Sequence, residues 1–176
     1  EAVYVFDSTL EDAAINDKIA RATGRAWTDF AFYVGASPEN ADDLYALERL
    51  PGCCGIKMFM GSSTGTLLVA DDENVARVLK SGSRRVTVHS EDDMRLQERA
   101  ALVRDGADVS KHPEWRDVET AVRSTERLLR LARQHRRRVH VDVHVADVED
   151  REFVERRWQV RAGQGDPPDP DAFRVL

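Results

Sequence analysis

The chain has 176 residues, with 26 Lys and Arg against 32 Asp and Glu, a formal charge of −6 and 41% hydrophobic residues, values that fit one globular domain. No apolar run approaches the ~20 residues a bilayer crossing needs, and the opening stretch EAVYVFDSTL lacks the basic flank, apolar core and cleavage site of a signal peptide. With no long basic face to meet a phosphate backbone, a cytoplasmic protein without membrane or nucleic-acid partners is expected.

Taken in chain order, Val3 to Phe6 reads as a first buried strand. Ser8 and Glu11 stand at capping-box spacing before a helix with Ile15, Ile19 and Ala22 on one face, and Gly24 stops it. Phe30 to Val34 is a second apolar run. Ser37-Pro38 then supplies a cap and the proline that a first helical turn tolerates, for a helix burying Leu44, Leu47 and Leu50 up to Pro51-Gly52. Cys53 and Cys54 are adjacent, so they cannot staple distant segments, and they read as small packing residues before a third strand, Ile56 to Met60. A helix follows over Asp72 to Lys80, and a fourth strand over Val86 to His89.

From about Asp117 the longest helix lines up Val118, Ala121, Val122, Thr125, Leu128, Leu129 and Ala132 on one stripe. Arg136-Arg137-Arg138 near its end complements the helix dipole and is assigned no binding role. The fifth strand is Val139 to Val145. Residues 161–176, with RAGQGDPPDPD among them, have the composition of a disordered tail.

Strand and helix thus alternate, and helices long enough to cross between neighbours predict a parallel α/β sheet. A closed (β/α)8 barrel takes roughly 250 residues. Five units over residues 1–160 therefore predict a partial TIM barrel of about five β/α units, or an open sheet.

In either architecture functional groups gather at the carboxyl ends of strands. Lys57 sits among Ile56, Met58, Phe59 and Met60, where a lysine is costly unless it is paired, deprotonated or modified. It is either a snorkelling side chain at the barrel mouth or a lysine of lowered pKa, able to act as a nucleophile or to take up carbon dioxide as a metal-binding carbamate. Gly61-Ser62-Ser63-Thr64-Gly65 lacks the Gly-Lys-Ser/Thr ending of a phosphate loop and reads as a turn. His89 closes the fourth run just before Glu91 and Asp92. In the fifth run, period two sends the valines to one face and His140, Asp142 and His144 to the other. His140 and His144 lie about 13 Å apart along a strand and cannot share one ion, and the active end would hold His144. Lys57, His89 and His144 together offer a ligand set for one or two zinc ions. His112 and His135 are expected at the solvent.

These residues resemble dihydroorotases of the cyclic amidohydrolase superfamily over roughly Asp17 to Val145. The most specific block is GIKMFMGSSTG, residues 55–65, with Leu67-Leu68-Val69 after it; FAFYVGAS, VHSEDDMRLQER and HPEWRDVETAV add support in the same order. The resemblance implies a metal-dependent (β/α)8 barrel that interconverts carbamoyl-aspartate and dihydroorotate in pyrimidine biosynthesis, with Lys57 carbamylated between two zinc ions and His89 and His144 ligating the second. Hydantoinase and allantoinase share the lysine and histidines, but the Gly-Ser-Ser-Thr-Gly continuation is more like dihydroorotase.

The family's His-x-His pair, its substrate-binding arginine and its general-base aspartate are not among the 176 residues. Phe6-Asp7-Ser8-Thr9 stands where relatives carry Met-Pro-Asn-Thr, and His140 to Ala146 is one residue longer than the family's block, which leaves His140 against His144 open. Little turnover is therefore expected from the chain by itself. A small-molecule substrate, and a second copy or a partner chain covering open strand edges, complete the expectation; the alternative is an inactive amidohydrolase-like scaffold or interaction subunit.

Overall fold

The computed structural model describes residues 3–4, 12–61 and 67–142. Within them the β-branched and aromatic runs form five strands, β1 (Val3–Tyr4), β2 (Phe32–Gly35), β3 (Cys53–Phe59), β4 (Val86–His89) and β5 (Val139–Asp142). All neighbouring pairs are parallel, and the spatial order is the sequence order, β1-β2-β3-β4-β5. A doubly wound sheet reverses its order at a switch point, whereas a barrel adds each new strand beside the last. The fold is accordingly α/β and part of a TIM barrel, the first of the two predicted architectures.

The helices between the strands are α1 (Asp12–Ala22), α2 (Leu44–Leu47), α3 (Asp72–Lys80), α4 (Asp93–Glu98), α5 (His112–Trp115) and α6 (Val118–Gln134). Helix α3 matches its expected bounds because both ends are specified. Asp71 accepts the Asn74 N–H at 2.8 Å, Asp72 and Glu73 occupy the first turn, and Arg77 and Lys80 the last. Helix α6 buries Ala121, Val122, Thr125, Leu128, Leu129 and Ala132 of its stripe. With Val75, Val78 and Leu79 of α3, its apolar residues cover the sheet face formed by Val34, Ile56, Met58, Val86, Val88, Val139 and Val141. Period two in the strands and 3.6 in the helices thus meet in one core.

Asp117, which caps α6, accepts the Thr120 N–H at 3.1 Å and hydrogen bonds from the Arg95 Nε and Nη2 at 2.9 and 2.5 Å. The Arg95 guanidinium is the main reason its carboxyl falls from the usual range to about 2. A depressed carboxyl stabilises the fold above its unfolded pKa, and the contribution disappears as pH falls through the folded value. Asn also caps helices, so Asp117→Asn isolates the charge. At neutral pH the variant should be about 2 kcal/mol less stable, and the gap to wild type should close between about pH 4 and pH 2 in urea melts.

Two local expectations are corrected. Ser37-Pro38 does not open a long helix: residues 38–43 form turns, and only Leu44–Leu47 is helical. The buried Asn40 takes over the backbone there, accepting the Ser37 N–H at 2.7 Å and donating to the Gly35 carbonyl at 3.0 Å. Such side-chain bonds compete with the helix. Cys53 and Cys54 lie inside β3 rather than before it, because the register runs Phe32 to Cys53 and then Tyr33 to Gly55, leaving Cys54 as an extra residue. Arg137, read only as one of three charges complementing the helix dipole, is buried against Glu48 with Nη2 3.3 Å from the carboxylate.

Glu48 is fully buried and ties together the segments that lead into β4 and β5. One oxygen accepts the Ser83 N–H at 2.7 Å and the other the Arg84 N–H at 3.0 Å, besides the bond from Arg137. Helices α4 and α5, with 3-10 turns at Ala100–Val103 and Val109–Lys111, form an excursion between β4 and α6 that the sequence reading passes over. Among the described residues no helix is long and apolar enough to cross a membrane. The Ser8/Glu11 capping box, most of the glycine-rich turn, His144 and the expected tail lie outside the described residues.

Candidate functional site

The sheet face away from the helices carries a different chemistry. Lys57 pairs in register with Thr87 and Thr87 with His140; one pleat further toward the carboxyl ends, Phe59 pairs with His89 and His89 with the Asp142 position. Residues in register, and residues two apart on a strand, share a face. Lys57, Thr87, Phe59, His89 and His140 therefore line one side, opposite the apolar core.

Lys57 is 3% exposed and His89 7%. The Lys57 Nζ lies 5.0 Å from the centre of the Phe59 ring, and that ring is 5.8 Å from the imidazole of His89. The structure thus brings together two of the three expected ligand residues, on adjacent strands with an aromatic ring between them. His140 stands level with Thr87 and Lys57, one pleat below His89.

At the end of β4 the chain alternates in function. Ser90 turns toward α6, its hydroxyl 3.1 Å from that of Ser124 and 3.0 Å from that of Thr125, so the sheet edge is fastened to the long helix. Glu91, 1% exposed, places Oε2 at 2.6 Å from His89 Nε2 and accepts from Arg116 Nη1 at 2.6 Å. Glu91 and Arg116 are the site residues the sequence reading leaves unassigned. The legible signal was the His-x-Glu spacing at a strand end, which returns both side chains to one face; nothing in the sequence indicated that Arg116 would reach them.

Gly61 makes this geometry attainable. A Cβ there would stand 2.6 Å from the Glu91 carbonyl oxygen, so the ends of β3 and β4 approach more closely than a side chain allows. Gly61→Ala should force them apart and cost about 1 to 3 kcal/mol, read as a lower urea midpoint at unchanged slope.

Among the described residues no group of three or more His, Cys, Asp or Glu side chains gathers to hold a metal. An ammonium cannot ligate a cation, so the donor set suits a divalent ion only if Lys57 carries a carboxyl group, supplying oxygen beside the imidazole of His89. Thr87 fits that requirement. Its Oγ1 is buried beside Lys57 in register and has no hydrogen-bond partner among the described residues, so a carbamate oxygen would find a donor there. Cys53 offers no competing chemistry at this face: burial pushes its thiol up, and it packs in the core.

The parallel strand order defines the class of fold, a partial (β/α)8 barrel with polar side chains toward the carboxyl ends of its strands. Solved structures bear this out. The L-hydantoinase (dihydropyrimidinase) of Arthrobacter aurescens matches with a TM-score of 0.71 at 20% identity, over 93% of this chain and 35% of its own. The dihydropyrimidinase of Brevibacillus agri matches at 0.71 and 22% identity, over 99% of this chain and 37% of its own. The D-hydantoinase of a Thermus species gives 0.74 at 15% identity, again over 99% and 37%. The chain spans a little over a third of the length of these structures. No protein-family model and no curated protein matches it.

Proposed function

We propose that the chain is the metal-holding part of a cyclic amidohydrolase. The carrying observation is Lys57, buried on the inner face of β3, one ring away from His89 at the end of β4. Lys57 as a carbamate and His89 would hold a divalent ion, zinc in the first instance, with His144 as the third candidate ligand. Such an ion supplies Lewis acidity for amide hydrolysis and acidifies water. The residues of this chain contribute the oxygen and nitrogen donors, a Thr87 hydroxyl beside the carbamate, and burial that strengthens charge interactions.

For the reaction itself, the sequence blocks favour dihydroorotase, the interconversion of carbamoyl-aspartate and dihydroorotate. The hydantoinase and dihydropyrimidinase neighbours favour a second reading, hydrolysis of hydantoins or dihydropyrimidines. The test is to load the protein with zinc and bicarbonate and follow ring opening of dihydroorotate, hydantoin and dihydrouracil. Turnover of dihydroorotate alone supports the first reading, and turnover of the other two supports the second. A protein that takes up no zinc yet forms a stable hetero-oligomer is a scaffold, and the amidohydrolase reading falls.

A further inference from the structure

The metal reading leaves unexplained why a buried carboxylate and an arginine from a distant segment meet at His89. The Glu91 Oε2 takes both contacts, His89 Nε2 and Arg116 Nη1, each at 2.6 Å. The excursion bearing Arg116 is closed on itself just where it delivers that residue. Arg95 bonds Asp117 through Nε at 2.9 Å, the Trp115 indole N–H donates to the Leu96 carbonyl at 2.8 Å, and Arg99 Nε donates to the Glu114 carbonyl at 3.0 Å. The Arg116 guanidinium also lies 4.8 Å from the centre of the Trp115 ring. Each of these contacts involves a residue within two positions of Arg116, and three of them tie that stretch to Arg95, Leu96 and Arg99.

A carboxylate held by a guanidinium is an acceptor only, so the imidazole nitrogen facing it must carry the proton. We infer that Glu91, clamped by Arg116, is the positioning residue of His89: it fixes the Nε2–H tautomer and commits Nδ1 to coordination. This rests on the reading of Lys57 and His89 as metal ligands, because a ligand histidine gains from a fixed lone pair. The excursion of α4 and α5 then has a role at the site, which is to bring Arg116 to Glu91.

The test uses the intact 15N-labelled chain, with long-range proton–nitrogen spectra of His89 and zinc titration in bicarbonate. Metal-free wild type should show His89 as the Nε2–H tautomer. In Glu91→Gln the amide can donate as well as accept, so the tautomer should become mixed and zinc affinity should fall roughly 10- to 100-fold with the far-ultraviolet spectrum unchanged. Arg116→Met should lower affinity in the same direction, and Arg116→Lys should restore most of it; this pair decides the matter if Glu91→Gln does not fold. Wild-type His89 protonated on Nδ1, or zinc affinity unchanged in both Glu91→Gln and Arg116→Met, overturns the positioning role. Failure of wild type to bind zinc overturns the metal reading instead, and the metal-free spectrum still reports whether Glu91 sets the ring.

Discussion

Glu48→Ala is expected to lower the unfolding free energy by about 3 to 5 kcal/mol, because it strands a buried guanidinium. Arg137 is 8% exposed, and its Nε and Nη1 find no hydrogen-bond partner among the described residues, so the Glu48 carboxylate is the compensation it has there. The same carboxylate satisfies the amides of Ser83 and Arg84, and those would be orphaned as well. The surroundings leave little room for repair. Gly82 stands at φ +82° with its missing Cβ 2.6 Å from Glu48 Oε2, so the turn is shaped around the carboxylate. The reverse substitution should behave differently. Arg137→Met leaves Glu48 with the amides of Ser83 and Arg84 and with Arg49, whose Nη1 is 3.1 Å from Oε1, so it should cost clearly less than Glu48→Ala. Urea denaturation of the two variants measures this asymmetry directly; equal losses would mean that the pair acts as one unit and not as a carboxylate that serves many donors.

The second large effect concerns the metal. Lys57→Ala should reduce zinc affinity by more than the ~100-fold that losing an outer-sphere partner costs, since it removes a proposed ligand outright. Lys57→Met is the more informative variant, because it fills the same volume beside Phe59 without a charge or a carbamate. It should still fold, because the volume is kept, yet retain no zinc. Intact-mass measurement in bicarbonate should show one added carbon dioxide on wild type and none on either variant. Zinc held equally by wild type and Lys57→Met would remove Lys57 from the ligand set and with it the amidohydrolase proposal.

Much of this arrangement was legible in the sequence, for reasons that differ by element. Helix α3 and strand β4 fall at their expected bounds because caps, charge order and periodicity agree over Asp72–Lys80 and Val86–His89. The stripe of α6 was plain for the same reason. The helix expected after Ser37-Pro38 failed because local pattern carries no sign of Asn40 reaching back to the Gly35 carbonyl. Short α4 and α5 have too few turns for a period to register, and so the segment that brings Arg116 to Glu91 was invisible. Lys57 and His89 stood out as polar residues in apolar strands. Glu91 did not, because its meaning depends on a partner 25 residues away in sequence. The pairing of Arg137 is illegible for a related reason: Arg136, Arg137 and Arg138 look alike as letters, and the buried Glu48 distinguishes the middle one.

The Glu48 clamp sits where the chain enters β4, and His89 where it leaves. From Arg84 to His89 is roughly 16 Å of extended backbone, beyond the range at which substitutions usually interfere. Robustness and reactivity thus occupy opposite poles of the same strands. A substitution at one pole, Arg137→Met for instance, can be combined with changes at the rim that carries Lys57 and His89, and the free-energy changes should simply add.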